Sequence, residues 1–351
     1  MNVDLPAGTR NYTYAQDMAI FRTRTHWGLF LGLLAAMITM PLYLGNYWLS
    51  VANLIGITII AATGLNILTG YCGQLSIGHA GFIAVGAYTS AILTNRFELP
   101  FVLGLICAGL VAGLIGIIFG IPSMRVKGFY LAISTIAAQF IIIWVINHWN
   151  SMTGGFIGIR VPPASIGGIG FVSQTSQFYL IIAITAMSVF FARNLARTRS
   201  GRAFIAIRDN DLAAEVMGIN LFRYKLTAFF IGCFLAGIAG SLLAHRIGYI
   251  NAENFTLMDS ILYIAMIIIG GAGTTIGPIF GVIFIQMLQQ GVTLISPTLE
   301  SAFALPAGFT AGIGPMVLGL IIVLFLILEP RGLAHRWMLF KTSYRLWPFS
   351  Y

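Results

Sequence analysis

The sequence predicts an all-α, polytopic helical membrane protein with about ten transmembrane helices and cytoplasmic N- and C-termini. Three observations predict it. Hydrophobic residues make up 58% of the 351-residue chain and charged residues only 8%, where an average soluble domain carries roughly 25% charged residues. The apolar residues gather in runs near the roughly 20-residue length that crosses a hydrocarbon core. The basic residues fall almost all between alternate runs. With 19 basic and 10 acidic side chains, a soluble globule of this size could not cover its surface. Soluble enzyme, secreted disulfide scaffold and disordered chain are therefore excluded. The 40 glycines suit helices that pack closely in lipid.

Read in order, the candidate spans are 27–44, 48–69, 78–94, 100–122, 129–149, 178–192, 226–245, 260–271, 277–295 and 311–328. The third and eighth adjoin Gly-rich breaks, and the eighth is short. The frame is thus a segment 1–26, a membrane domain 27–330 and a tail 331–351. Residues 1–26 are polar and mixed in charge, unlike a cleavable signal peptide. With the N-terminus placed inside and the spans alternating, Arg10, Arg22, Arg24, Arg125, Lys127, Arg193, Arg197, Arg199, Arg202, Arg208, Arg223, Lys225, Arg331, Arg336, Lys341 and Arg345 are cytoplasmic. Only Arg96, Arg160 and Arg246 fall outside, as the positive-inside rule requires. The net charge of +9 is then an orientation signal and not a nucleic-acid footprint. Trp27, Tyr43, Tyr47, Trp48, Trp149 and Trp337 lie at predicted helix ends, where amphipathic rings prefer the interface.

Two loops are long. The outer one, 150–177, is rich in Gly, Ser and Pro. The inner one, 193–225, is basic but too apolar for a solvated tail. Within it, 203–216 reads as a short amphipathic helix with Phe204, Ile207, Leu212 and Val216 as apolar contacts and Gly218 placed to stop it. A formed helix is not needed as a linker, so it reads as a docking surface for another protein. Ten spans divide into five plus five, an arrangement open to an inverted repeat, although the halves show little sequence echo.

Catalytic chemistry is not evident. There is no P-loop and no HExxH. Cys72, Cys107 and Cys233 are odd in number, widely spaced and set in apolar runs, which gives neither a disulfide framework nor a metal pair. Ser76 and His79 lie three residues apart, but no carboxylate is near in sequence. A helix-capping Ser and a hydrogen-bonded His are the plainer reading. Asp259 falls at the outer start of the eighth span, where an acidic helix cap is favoured. The spans otherwise carry no run of ionisable groups such as ion-driven carriers place mid-membrane. Uphill transport would therefore draw its energy from elsewhere, and the basic inner loop is a natural seat for an ATPase.

Two Gly-rich breaks interrupt the apolar runs, at 64–82 and 270–278. Such breaks either mark a transport path or form tight cytoplasmic turns. Gly109–Gly113, Gly116–Gly120 and Gly277–Gly281 are GxxxG matches and suggest close helix contacts. Asn53, Asn66, Gln139, Asn147, Gln286 and Gln289 are polar residues in or near spans, open to a path role or to a role as interhelical glue. Thr135 is expected to bond its own helix backbone.

The stretch GLNILTGYCGQLSIGHAGFIAVGAY (64–88) resembles the M-type (LivM-like) permease subunits of bacterial branched-chain amino acid ABC importers. RVKGFYLAISTIA (125–137), SMTGGFIGI (151–159), GRAFIAIRDNDLAAEVMGIN (201–220), IIGGAGTTIGPIFGV (268–282) and EPRGL (329–333) resemble the same family in the same order. The resemblance covers roughly 48–333. It implies a non-catalytic translocation subunit in the bacterial inner membrane, working with a second (H-type) permease, two cytoplasmic ATPases and a periplasmic binding protein. It implies no cofactor in this chain, ATP-Mg being used by the partner subunits. It places Arg208, Ala213, Ala214, Glu215 and Gly218 in a coupling helix seated on an ATPase. Asn66, Gln74, Ser76, His79 and Gln139 are the candidate path residues. Related permeases carry urea, amides or aromatic acids, and the 70–79 wording looks closer to the amino acid branch. A stand-alone carrier and an intramembrane enzyme built on Ser76 and His79 are the competing readings.

Overall fold

The computed structural model describes residues 24–123, 128–302 and 309–346. Arg10, Arg22, Arg125 and Lys127, and most of the segment 1–26, lie outside the described residues. Each candidate span is helical: α1 (Arg24–Tyr43), α2 (Asn46–Leu65), α3 (His79–Arg96), α4 (Phe101–Ser123), α5 (Phe129–His148), α6 (Gln174–Arg197), α9 (Leu221–Ile247), α10 (Leu257–Gly270), α11 (Gly277–Ala302) and α12 (Phe309–Leu328). The loop between α6 and α9 holds α7 (Arg199–Asp209) and α8 (Asp211–Val216), and α13 (Leu333–Leu346) follows α12.

Among the described residues, seven helices are long and apolar enough to cross a membrane, and α12 with α13, bent by 44°, makes up to eight. The helix α3 does not meet that measure. Its His79 and Ser90 are tolerated because protein surrounds them: the helix packs on α4, α5 and α9, and its residues from His79 to Tyr88 are all buried, while Asn95 is exposed at its end. The outer helices show the opposite pattern. Leu103, Ile106, Leu110, Leu114 and Ile118 form an exposed stripe along one face of α4, with Ile118 63% exposed. Water would not tolerate such a stripe, whereas lipid does. The chain is a multi-pass membrane protein.

The helix α2 is the spine between two apolar clusters. Its Ile57, Ile60 and Ala61 join a large core shared with α3, α4 and α9, including Phe82, Phe229 and Leu235. Its Ile59, Ala62 and Leu65 join a second core with Met266, Ile267 and Ile269 of α10 and Val282 and Ile285 of α11. Glycines set the close approaches. A Cβ on Gly86 would strike the backbone of Gly237, and one on Gly240 the backbone of Ile83 and Ala87. Gly109, Gly113 and Gly116 of α4 lie against Phe234, Phe230 and Cys233 of α9, so the GxxxG expectation of close helix contact holds there.

The 150–177 loop carries two-residue strands. β1 (Ile159–Arg160) pairs antiparallel with β4 (Tyr249–Ile250), and β2 (Ser165–Ile166) with β3 (Ile169–Gly170). The β1–β4 pair ties the loop to the connection between α9 and α10. Beneath it, Ser241 Oγ donates to Ser90 Oγ at 2.8 Å, Ser90 Oγ lies 2.9 Å from His245 Nε2, and His245 Nδ1 donates to the Pro162 carbonyl at 2.7 Å. The carbonyl can only accept, so Nδ1 carries the proton and Ser90 is the donor to Nε2.

Two expectations need correction. The inner-loop helix is not one helix over 203–216. Asn210 breaks it with an extended backbone (φ −159°) and its side chain caps the restart by accepting from Ala213 N–H. Phe204 and Ile207 are buried, while Leu212 and Val216 are 65% and 87% exposed. Asp259 does cap its helix, sharing a capping box with Thr256. But α10 begins level with the start of α3 and with Gln139, part of the way along the bundle, with Thr256 and Met258 exposed beside it. The chain descends through the 3-10 turn Ala252–Asn254 before the helix starts.

Gly240→Val should lower the unfolding free energy by about 1–3 kcal/mol, the usual cost of overpacking. This would be read as a fall in the thermal midpoint of the detergent-solubilised protein. Gly291→Ala, whose added methyl meets nothing within 4 Å, should leave the midpoint unchanged or raise it. Equal midpoints for both variants would contradict the close α3–α9 contact.

Candidate functional site

The first Gly-rich break begins where α2 passes into one π-helical turn, Asn66–Tyr71. A π turn adds a residue to the helical ring and commonly marks a functional site. Several of its backbone groups find partners within the break or on α5. Cys72 N–H donates to Ile67 O, Gly73 N–H to Thr69 O and Gln74 N–H to Leu68 O. Thr69 Oγ1 donates to Gln74 O at 3.0 Å, and Ile77 N–H donates to Thr135 Oγ1 at 2.9 Å. Thr135 also donates to Ala132 O at 2.8 Å, so it bonds its own helix as expected and in addition holds the break.

One side chain joins this break to the second. Asn66, 2% exposed, donates from Nδ2 to Thr274 O at 2.9 Å and accepts at Oδ1 from Gly273 N–H at 2.8 Å. Tyr71 and Thr275 hydroxyls meet at 3.0 Å. Gly70 makes room for the crossing, since a Cβ there would run into Asn66 Oδ1 and the Gly273 nitrogen. Arg208, at the end of α7, donates from Nη1 to Gly70 O at 3.0 Å and forms an ion pair with Asp209 at 2.9 Å. Gly273 (φ +78°) sits against the same guanidinium. Two breaks and the inner-loop helix therefore meet at one point. Next to it lies a polar cavity of about 370 Å³ lined by Gln74, Arg208, Asp209, Asn210, Asp211 and Lys225. Lys225 and Asp211 stand 3.8 Å apart across it.

A second junction lies deeper. The helix α3 starts next to the start of α10. Ala80 N–H donates to Ser260 Oγ at 2.9 Å, Ser260 Oγ donates to Gln139 Oε1 at 2.7 Å, and Gln139 Nε2 donates to Phe255 O at 3.4 Å. His79 Nε2 donates to Ala61 O at 3.0 Å. Ala61 lies 15 residues along α2 from Asn46, or about 22 Å at the α-helical rise. The two helix starts therefore sit near mid-bundle.

The candidate path residues thus fall into three groups. Asn66 bridges the two breaks. Gln74 lines the polar cavity. Ser76, His79 and Gln139 are buried around the start of α3. Ser76 and His79 do not bond each other: Ser76 Oγ and His79 Nδ1 have no hydrogen-bond partner among the described residues. No group of three or more His, Cys, Asp and Glu side chains suited to a metal ion is present among the described residues. In the inner-loop helix, Ala213, Glu215 and Gly218 are exposed and Ala214 is buried against the chain. Gly218 (φ +84°) ends α8, its N–H donating to Glu215 O. Sequence reasoning missed Ser260, Thr274, Thr275 and the Ser90–Ser241–His245 chain. Small hydroxyls inside apolar runs carry no signal until a partner is known.

The profile of the branched-chain amino acid transport system permease components matches residues 47–327. The chain belongs to that family. It is 31% identical to the LivM high-affinity branched-chain amino acid transport permease of Salmonella typhimurium over 327 residues, covering 86% of this chain and 73% of that one. The LivM permease of Escherichia coli is 31% identical over 326 residues with the same coverage. The autoinducer 2 import permease LsrC of an Enterobacter species is 26% identical over 258 residues, covering 71% of this chain and 67% of that one. No solved structure matches the chain. The family's members are permease components of transporters, and no enzyme family is indicated.

Asn66→Ala would strand Gly273 N–H and Thr274 O in a buried crossing. It should cost about 1–3 kcal/mol for each group left unpaired, measured as a lowered thermal midpoint in detergent. Gly70→Ala should be at least as damaging, because the methyl meets Asn66 and the Gly273 backbone. A wild-type midpoint in both variants would mean that the crossing does not hold the two breaks together.

Proposed function

We propose that the chain is the translocation subunit of an ATP-binding-cassette importer for branched-chain or other hydrophobic amino acids. It forms the path with a second permease in the bacterial inner membrane. The α7–α8 unit and both termini face the cytoplasm, where two ATPase subunits that use ATP-Mg dock, and a periplasmic binding protein delivers the substrate. The chain itself performs no bond chemistry. The LivM relatives support the substrate class, and the LsrC relative supports the machine but carries a different solute name.

One observation carries the docking reading. The α7–α8 unit is rooted on one side and bare on the other. Phe204 is fully buried and Ile207 is 4% exposed, and Arg208 bonds the π turn. In contrast, Leu212, Val216, Met217 and Phe222 are 65%, 87%, 82% and 52% exposed. These apolar side chains lie beside Arg223 and Glu215 in a polar loop, where lipid does not cover them. A partner with a groove would bury them. A push on α8 reaches Arg208 through the Asn210 cap, and Arg208 touches both glycine breaks. Docking and the breaks are thereby one mechanical unit.

Val216→Asp and Glu215→Lys, both at exposed positions, should leave membrane levels of the protein unchanged. They should lower amino acid uptake at least about tenfold and loosen co-purification of the ATPase. Gly218→Arg should act similarly, with added backbone strain at its positive φ. Full uptake with all three variants would sink the docking role. Uptake by liposomes holding this chain alone, driven by an ion gradient, would replace the importer with a secondary carrier.

A further inference from the structure

A second cavity, of about 270 Å³, lies between α2, α3, α9, α10 and α11. It is just below the roughly 300–1,000 Å³ of drug-sized ligand sites, so its occupant is a small metabolite. Asp259 and Gln286 line it. Asp259 sits at the mid-bundle start of α10 and makes no ion pair among the described residues. Both of its bonds, from Thr256 N–H at 2.9 Å and from Thr256 Oγ1 at 2.7 Å, fall on Oδ2, and Oδ1 takes part in neither. Gln286 is only 6% exposed, and its Oε1 has no hydrogen-bond partner among the described residues. The buried Gln286 acceptor without a donor carries a cost that a ligand can offset, and the partly exposed Asp259 carboxylate leaves Oδ1 open to the same ligand.

Among the described residues, no Lys, Arg or His side chain lines the cavity, so an anion finds no counter-charge there. Asn254, whose Oδ1 already accepts from Asn251 N–H, still has its amide hydrogens, and Gln289 adds another amide. Most of the remaining wall is apolar, including Leu54, Ile57 and Ile83. The site thus offers acceptors for a cationic group, amide donors for a carboxylate and a greasy face. A polar uncharged sugar or diol would leave that face unmatched.

We propose that this cavity is a transit site for a zwitterionic amino acid with an apolar side chain, in which Asp259 and the Gln286 carbonyl receive the α-ammonium group. The proposal rests on the importer reading given above. It makes Asp259 a substrate counter-ion in addition to a helix cap.

The two roles of Asp259 predict opposite mutant patterns. Asn keeps an oxygen for the Thr256 N–H but loses the charge. Glu keeps the charge but shifts the cap. In cells deleted for this chain and complemented with each allele, companion subunits in place, initial uptake of radiolabelled leucine is measured. Asp259→Asn should lower uptake about ten- to a hundredfold, the scale of one lost charge-assisted hydrogen bond, at wild-type membrane levels. Asp259→Glu should retain part of the activity. Gln286→Leu should lower uptake without lowering the thermal midpoint, since it removes an unpaired buried oxygen. Wild-type uptake by Asp259→Asn, or activity in Asp259→Asn with none in Asp259→Glu, overturns the site and leaves the importer reading standing. If Asp259→Asn fails to accumulate, Gln286→Leu decides by the same criterion: wild-type uptake overturns the site. Leucine uptake unaffected by deleting the chain overturns the importer reading, and the site with it.

Discussion

Inside a bilayer, a backbone N–H or C=O without a partner costs several kcal/mol, so non-helical chain persists at depth only where protein satisfies it. The segment 66–78 meets that demand most severely. It leaves a helix through a π turn, runs as irregular chain and re-enters a helix at His79, largely buried except at Gly73. Its own carbonyls and amides take up part of the load, and Thr69 and Thr135 take more. The second break, at 271–276, is solved by the first: Asn66 supplies both the donor for Thr274 O and the acceptor for Gly273 N–H. Each irregular segment is the other's solvent. Neither break could move alone without exposing the Asn66 amide or the Gly273 backbone.

That mutual dependence explains where glycine is needed. Gly70 and Gly273 sit at the crossing, where any side chain would displace the Asn66 amide or the Arg208 guanidinium. Gly78 and Gly81 let α3 begin against Thr135 and Gln139. Gly86, Gly237 and Gly240 bring α3 and α9 into backbone contact. With α3 enclosed this tightly, its polar residues are shielded from lipid. Ser90 can then join Ser241 and His245 in a chain that reaches the Pro162 carbonyl in the 150–177 loop. The same enclosure thus anchors the loop at one end of the bundle and the breaks at the other.

The apolar runs were legible in the sequence because burial in lipid demands length and little else. Gly218 was legible as a stop because α8 ends there with positive φ. Asn66 and Gln139 stood out as amides in apolar surroundings, although their partners, Thr274 and Ser260, lie more than a hundred residues away. The depth of Asp259 was not legible. A carboxylate three residues after a Thr looks the same at an interface and at mid-bundle, and only the descent of 251–256 distinguishes them. The division of the inner-loop helix was also hidden. Asn210 stands in a run of polar residues that suits an exposed helix as well as a cap, and its extended backbone follows from how α7 is rooted. Arg208 was marked by the family resemblance as a coupling-helix residue, but its contact with the Gly70 carbonyl was not legible.

Arg208 also shows why charge is so sparse in this chain. A guanidinium that donates to a backbone carbonyl next to a π turn binds by geometry, and its charge is balanced by the adjacent Asp209 carboxylate. Lys225 is likewise set against Asp211 on the far side of the same polar cavity. Both pairs sit where the inner-loop helices meet the breaks, so the ions there are matched within the protein. Asp259 is different: it is partly exposed where it lines the cavity with α2 and α11 residues, and among the described residues no cation pairs with it. Where the breaks meet the inner-loop helices, the charges are paired where they are built. An unmatched carboxylate lining a cavity is free to meet a passing cationic group, whereas a permanent partner would fill the space through which a solute must move.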